Sequence, residues 1–303
     1  MSPTDAPPAQ DAGTPGAIVR VAGADRPRWA VRADDGGLRG LGTSLAALLG
    51  LPLDEARHVV AAALADGPAV DAGGDLLPPV DEQEVWAAGV TYRRSRDGRT
   101  EESTDPSIYD RVYTAERPEL FFKSTAARVV TDGDDVGIRV DSGWDVPEPE
   151  LGLVVNRSGA VFGYVVGNDM SSRSIEGDNP LYLPQAKVYS RSCALGAEIV
   201  PVWTASAGPW PVRVTIERDG GTAFSGTTST SELARDLDDL AEWLVLALDL
   251  PAGAVLLTGT GIVPGADFTL AAGDVVRIEI DGIGTLTNSV VVVGRRLHAE
   301  ESR

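Results

Sequence analysis

The run PELGLVVNRSGAVFGYVVGND, Pro149 to Asp169, leaves the chain little choice of fold. Leu151 to Asn156 and Ala160 to Gly167 read as strands, and Asn156-Arg157-Ser158-Gly159 between them is a turn cluster, so the segment predicts an antiparallel hairpin. Runs of the same kind (QEVWAAGVTY, LFFKST, PVRVTIER, AVLLTGT, DVVRIEI, GTLTNSVVVV) fill the chain from Asp81 onward. One long helix is expected among them, over about 231 to 250, with Ser229 and Glu232 as its capping box and Pro251 with Gly253 ending it. Before Asp81, two short strands (AIVRVAG, PRWAVRA) precede a helical pair, SLAALLG and PLDEARHVVAAALADG, in which Asp54 is the expected cap. The expected fold is α+β and mostly antiparallel β, divided into a disordered tail at 1–16, a small N-terminal α/β domain at 17–80 and a β domain at 81–303, with Pro78 and Pro79 as the linker.

At the open end of the hairpin the sequence carries a conflict. Glu148 and Glu150 are one residue apart, so in a strand they share a face at a separation of roughly 6 to 7 Å. At an effective dielectric near 20 such a pair repels by about 2 to 3 kcal/mol. Pairing about the turn sets Glu150 opposite roughly Val165 and Glu148 opposite roughly Gly167, which brings Asp169 to the same end. Three carboxylates there form an oxygen-rich site suited to a hard divalent ion such as Mg2+.

Composition narrows the alternatives. A net charge of -19 and no basic patch argue against nucleic acid or an anionic membrane surface as a partner, and no apolar run reaches the length of a membrane span. The first sixteen residues lack the charged and apolar regions of a secretory signal, so the expected compartment is the cytoplasm. The lone cysteine, Cys193, excludes an intramolecular disulfide framework, and two histidines, His58 and His298, cannot build a three-histidine zinc site. Lysine is scarcer still: of 26 basic residues only Lys123 and Lys187 are lysines. An ammonium can lose its proton when desolvated and arginine effectively cannot, so the two positions are candidates for proton chemistry, Lys187 first because it lies in the polar-aromatic loop NPLYLPQAKVYSRS. The glycines of VLLTGTGIVPG follow a strand but precede no helix, which removes the dinucleotide reading and leaves a tight loop offering backbone N–H groups and the Thr260 hydroxyl to an anionic substrate group.

Five of these stretches, PEPELGLVV, GYVVGNDMSSR, the lysine in LPQAKVYSRS, FFKST and LLTGTG, together resemble the fumarylacetoacetate hydrolase family across about Val85 to Val293. The resemblance implies a catalytic domain of mixed β-roll type with a smaller N-terminal domain, a homodimer or homotetramer, Mg2+ or Mn2+ on Glu148, Glu150 and Asp169, and Lys187 as the active-site lysine. SIEGDNPLYLPQAKVYSRSCALG and VWAAGVTYRRSRDGRTEES are similar to the branch of 2-keto-3-deoxy sugar acid dehydratases (arabinonate and xylonate). Hydrolase members carry a histidine three residues after a tyrosine, where Ser95 follows Tyr92 here; Ser174 stands where the family has aspartate after the arginine matching Arg173.

The resemblance therefore implies a hydro-lyase of sugar acid catabolism that converts a 2-keto-3-deoxypentonate to 2-oxoglutarate semialdehyde, with carbon-carbon hydrolysis of acylpyruvates as the alternative. A small-molecule 2-oxo acid chelates a divalent ion through its carboxylate and keto oxygen, which acidifies C3. Lys187 is the expected proton carrier, and Lys123, Thr260, Arg93 and Arg94 are expected to hold the substrate carboxylate or hydroxyls.

Overall fold

The structure, a computed structural model, describes residues 13–71, 76–95 and 107–295; the expected tail up to residue 12, and His298, lie outside the described residues. Strand Pro149–Val155 pairs antiparallel with Val161–Asp169, forming the predicted hairpin. Its register is offset by two residues from the expected one: Glu150 faces Gly167, and the Asp169 N–H donates to the Glu148 carbonyl at 3.0 Å. Half of the offset comes from the turn, where the Asn156 carboxamide oxygen accepts the N–H groups of Ser158 and Ala160 at 3.0 and 2.9 Å and delays pairing until Val155 meets Val161. The other half is a bulge, because Val154 already faces Gly163 and Phe162 is left over. The Phe162 ring packs edge-on against Trp203 with centroids 5.2 Å apart, which anchors the extra residue.

The hairpin is central to a thirteen-stranded sheet, whose path includes Ile18–Val21, Glu198–Pro201, Val161–Asp169, Pro149–Val155, Ala254–Leu257, Glu84–Gly89 and Glu119–Thr125 in that order. Backbone pairing thus runs without a break from the N-terminal segment into the hairpin, through Ile18 opposite Ile199. A five-stranded sheet, ordered Gly221–Ser229, Pro211–Arg218, Val275–Ile280, Gly284–Val293 and Asp135–Arg139, packs against one face. Most pairs are antiparallel; Ala254–Leu257 with Glu84–Gly89, Cys193–Leu195 with Val129–Val130, and Gly284–Val293 with Asp135–Arg139 are parallel.

Two apolar layers explain why the hairpin strands read as continuous apolar runs rather than alternating ones. Leu151, Leu153, Val155 and Val166 face Val212, Val214, Ile216 and Ile278 of the five-stranded sheet. Val154, Phe162 and Val165 face the other way, into a core with Leu45, Leu48, Leu49 and Val60 from the helices Leu45–Leu49 and Leu53–Asp66. Glu148, Glu150 and Asp169 continue the second set beyond its end by strand parity. Cys193 is buried and its thiol is pushed up to about 12 by that burial, an inert packing group.

Three local expectations change. The Leu53–Asp66 helix starts after Pro52, with no side-chain cap, and Asp54 sits exposed within its first turn, where it faces the positive end of the dipole. The long helix shortens to Leu237–Val245, capped by Asp236, while Ser229 caps only a 3-10 turn at Thr230–Glu232. The cause is a competing contact: Leu233 bridges to Tyr92, and the Ala234 N–H donates to the Thr91 carbonyl at 2.9 Å instead of continuing a helix. The stretch holding Lys187 is helical rather than a loop, with turns at Pro180–Tyr182 and Leu183–Lys187.

Candidate active site

Glu148, Glu150 and Asp169 are all buried, and one carboxylate oxygen from each lies within 4.8 Å of the others. Two of the three already meet basic side chains. The Lys187 ammonium donates to Glu148 Oε2 at 2.7 Å, Asp169 Oδ2 at 3.0 Å and Ser171 Oγ at 2.6 Å, so all three of its N–H bonds are spent. Arg173 pairs with Glu148 Oε1 at 2.8 Å and reaches Glu176 Oε2 at 3.7 Å. Lys123, fully buried, pairs with Asp169 Oδ1 and donates to the carbonyls of Met170 and Lys187 at 2.9 and 2.6 Å. Its pKa is lowered by burial, which outweighs the field of Asp169.

Glu150 is different. Its Oε2 accepts the Gly259 N–H at 2.6 Å, and no ion pair to it is found among the described residues. Burial, then the fields of Asp169 and Glu148, hold its carboxyl well above the usual range. The electrostatic conflict expected for the whole pair is thus concentrated on Glu150. Gly259 makes its contact from a left-handed conformation, φ 90°, beside Thr91, whose hydroxyl donates to the Thr258 carbonyl at 2.6 Å; a side chain at 259 would collide with that hydroxyl. The expected loop therefore exists, but one of its N–H groups serves a protein carboxylate.

A cavity opens onto the triad, lined also by Ser95, Glu119, Phe121, Glu176, Leu183, Lys187, Gly259 and Thr260. Lys187 and Thr260 stand on its wall; the Thr260 hydroxyl also donates to the Ile262 carbonyl at 3.3 Å. Lys123 lies behind the triad, oriented on Asp169. Arg93 and Arg94 are exposed and do not line the cavity. Ser95 is buried on the wall and donates to the Tyr92 carbonyl at 2.8 Å. Ser174 is exposed and bonds to the Ser142 hydroxyl at 3.0 Å; among the described residues Arg173 is flanked by Glu176 as well as Glu148.

Sequence reading missed Glu119 and Glu176. The one local sign of Glu119 is Gly89, directly opposite it on the neighbouring strand: a side chain at 89 would overlap the Glu119 carboxylate. Glu176 left no sign except its place three residues after Arg173 on a helical turn, Arg173–Asp178.

The donor set fits a divalent ion: hard carboxylate oxygens at mutual reach, with the residual negative field centred on Glu150. Nearby, burial raises Asp145 to about 6. The folded protein then holds this proton more tightly than the unfolded chain does, so the associated stability is complete at low pH and is lost as pH rises through about 6. Asp145→Asn is expected to stabilise the protein at pH 8 by about 1 kcal/mol, allowing for solvent screening, and to change little at pH 4, as thermal melts at the two pH values will register.

Residues 85–291 match the family described as fumarylacetoacetate (FAA) hydrolase, C-terminal. The chain is 53% identical over 216 residues to the probable 2-keto-3-deoxyxylonate dehydratase of Haloferax volcanii, a match covering 71% of this chain and 74% of that protein. It is 39% identical over 221 residues to the 2-dehydro-3-deoxy-D-arabinonate dehydratase of Saccharolobus solfataricus, covering 71% and 74%. Among solved structures, 2-keto-3-deoxy-D-arabinonate dehydratase complexed with magnesium and 2,5-dioxopentanoate is similar with a TM-score of 0.79 and 30% identity, over 92% of this chain and 100% of that one.

Proposed function

The chain belongs to the fumarylacetoacetate hydrolase family, and from that premise we propose that it is a divalent-metal-dependent dehydratase of 2-keto-3-deoxypentonates, producing 2-oxoglutarate semialdehyde in sugar acid catabolism. The observation that carries the reading is the buried carboxylate triad opening onto a cavity whose wall holds serine, Ser95, at the position where hydrolase relatives have histidine. The Ser95 hydroxyl is committed to the Tyr92 backbone, so it offers no base to activate water for carbon-carbon cleavage.

Glu148, Glu150 and Asp169 would hold Mg2+ or Mn2+, which when bound supplies a Lewis acid that polarises the keto group of a 2-oxo acid and acidifies its C3 protons. Lys187, Lys123 and Arg173 fix the carboxylates in position. Lys187 and Glu119 are cavity groups able to move the C3 proton. Lys187 can act as a base only after surrendering a proton that now bonds Glu148, Asp169 or Ser171, and Glu119 is not among those three acceptors. We therefore assign proton abstraction to Glu119 and leave Lys187 the ammonium that holds the triad. Loss of the C3 proton and of the C4 hydroxyl makes a C3–C4 double bond with release of one water, and tautomerisation gives the semialdehyde. Thr260 is left to bind a substrate oxygen. Division of the chain at about residue 80 puts every one of these groups in the larger part, and the family resemblance suggests a cytoplasmic homodimer or homotetramer.

Incubation with Mg2+ and a panel of 2-keto-3-deoxy acids and acylpyruvates tests the reading. Water loss from a 2-keto-3-deoxypentonate, with solvent deuterium appearing at C3 of the product, is expected. Rapid release of pyruvate from an acylpyruvate with no dehydration of any panel member would replace the dehydratase by a hydrolase.

A further inference from the structure

Glu150 takes its backbone hydrogen bond from a peptide that is gripped at both ends. The Thr258 carbonyl and the Gly259 N–H belong to one planar trans unit, so they point in opposite directions and neither turns without the other. The Gly259 N–H donates to Glu150 Oε2 at 2.6 Å, and the Thr258 carbonyl accepts the Thr91 hydroxyl at 2.6 Å. Thr258 is tied in turn to the residue after Glu150, its N–H and its hydroxyl donating to the Leu151 carbonyl at 3.0 and 2.9 Å. Gly259 has φ 90°, and a half turn of the 258–259 peptide would carry it to a negative φ, which glycine adopts about as readily. Backbone preference therefore does not choose between the two orientations. The flipped one would turn the Thr258 carbonyl oxygen on the Glu150 carboxylate, acceptor against acceptor. Thr91 is itself firmly placed: it is buried, its carbonyl accepts the Ala234 N–H at 2.9 Å, and Val90 before it stands at φ 54°, a left-handed conformation that a β-branched residue holds only where its surroundings impose it.

We propose that Thr91 is a positioning residue of the metal site, its hydroxyl latching the Thr258–Gly259 peptide in the orientation that offers Glu150 an N–H and keeps its carboxylate within reach of Glu148 and Asp169. The inference rests on the divalent-ion reading of the triad and goes beyond it, because Thr91 belongs neither to the triad nor to the cavity wall and acts only through the peptide. Without the hydroxyl the flipped peptide gains population. Ion binding must then restore the plane, and the affinity falls by the fraction of molecules in which the plane is already correct.

The experiment is Mg2+ binding to the full-length protein by calorimetry. Thr91→Val, which keeps the shape and removes the donor, is expected to weaken Mg2+ by about tenfold or more, and Thr91→Ser, which keeps the donor, to stay within about threefold of the parent. Thr131→Val removes another buried hydroxyl bond, to the Leu195 carbonyl at 2.8 Å and not to this loop, and should leave the affinity unchanged. If Thr91→Val does not fold, Thr91→Cys takes its place: a thiol is a weak donor, so this variant should bind Mg2+ more weakly than Thr91→Ser. Parental affinity in Thr91→Val, equal weakening in Thr91→Val and Thr131→Val, or a serine variant no tighter than the valine or cysteine one would overturn the proposal while leaving the metal site standing. If the parent protein binds no Mg2+, the divalent-ion reading itself falls and takes this one with it.

Discussion

Glu150→Gln is expected to remove Mg2+ binding and with it at least about three orders of magnitude of activity, the largest effect of any conservative change in this chain. Glu148 and Asp169 each have basic side chains on them, so their charges are partly spent. Glu150 has the Gly259 N–H and otherwise the field of its two acidic neighbours. Its raised pKa means that the ion-free protein retains a proton there at pH values where an ordinary glutamate is ionised. Metal binding must therefore expel that proton, and affinity must fall as pH falls. Calorimetry in buffers of different ionisation enthalpy should report proton release on Mg2+ binding by the parent protein and no binding by the variant. Undiminished binding by Glu150→Gln would dismiss the triad as the metal site.

The second large effect is at Lys187. Its ammonium is a single point from which three acceptors are reached at 2.6 to 3.0 Å, in a buried position under the ring of Phe121, 5.6 Å away. A guanidinium keeps the charge but spreads its donors over a larger planar fork that cannot reproduce those three contacts in the same volume. Lys187→Arg is expected to lower turnover by about two orders of magnitude or more, with a modest loss of thermal stability from overpacking of about 1 to 3 kcal/mol. Turnover close to that of the parent would reduce Lys187 to a general electrostatic contact.

How much of this could be read in advance depends on how local each cause is. The hairpin, the convergence of Glu148, Glu150 and Asp169, and the standing of Lys187 follow from runs of adjacent residues, and the structure brings these four side chains together. The register could not be read correctly, because whether Phe162 joins the ladder or leaves it is decided by Trp203, far along the chain. The helix end was hidden for the same reason: Ser229 and Glu232 form a proper start signal, but Leu233 is claimed by Tyr92. Glu119 and Glu176 come from separate elements, and nothing in their own neighbourhoods except Gly89 marks them as parts of a cavity wall. Arg93 and Arg94 are exposed, and a positive charge alone does not say which way a side chain points.

The bulge at Phe162 makes the position of Asp169 a matter of counting. Along the strand from Gly163, every residue flips the side on which the next one emerges, so the carboxylate reaches the triad only because the number of residues from Gly163 to Asp169 has the right parity. Deleting one residue of the paired strand between Gly163 and Asn168 would turn Asp169 toward the five-stranded sheet, whereas a substitution there leaves the side on which it emerges unchanged. In this hairpin, length is a stricter inheritance than identity.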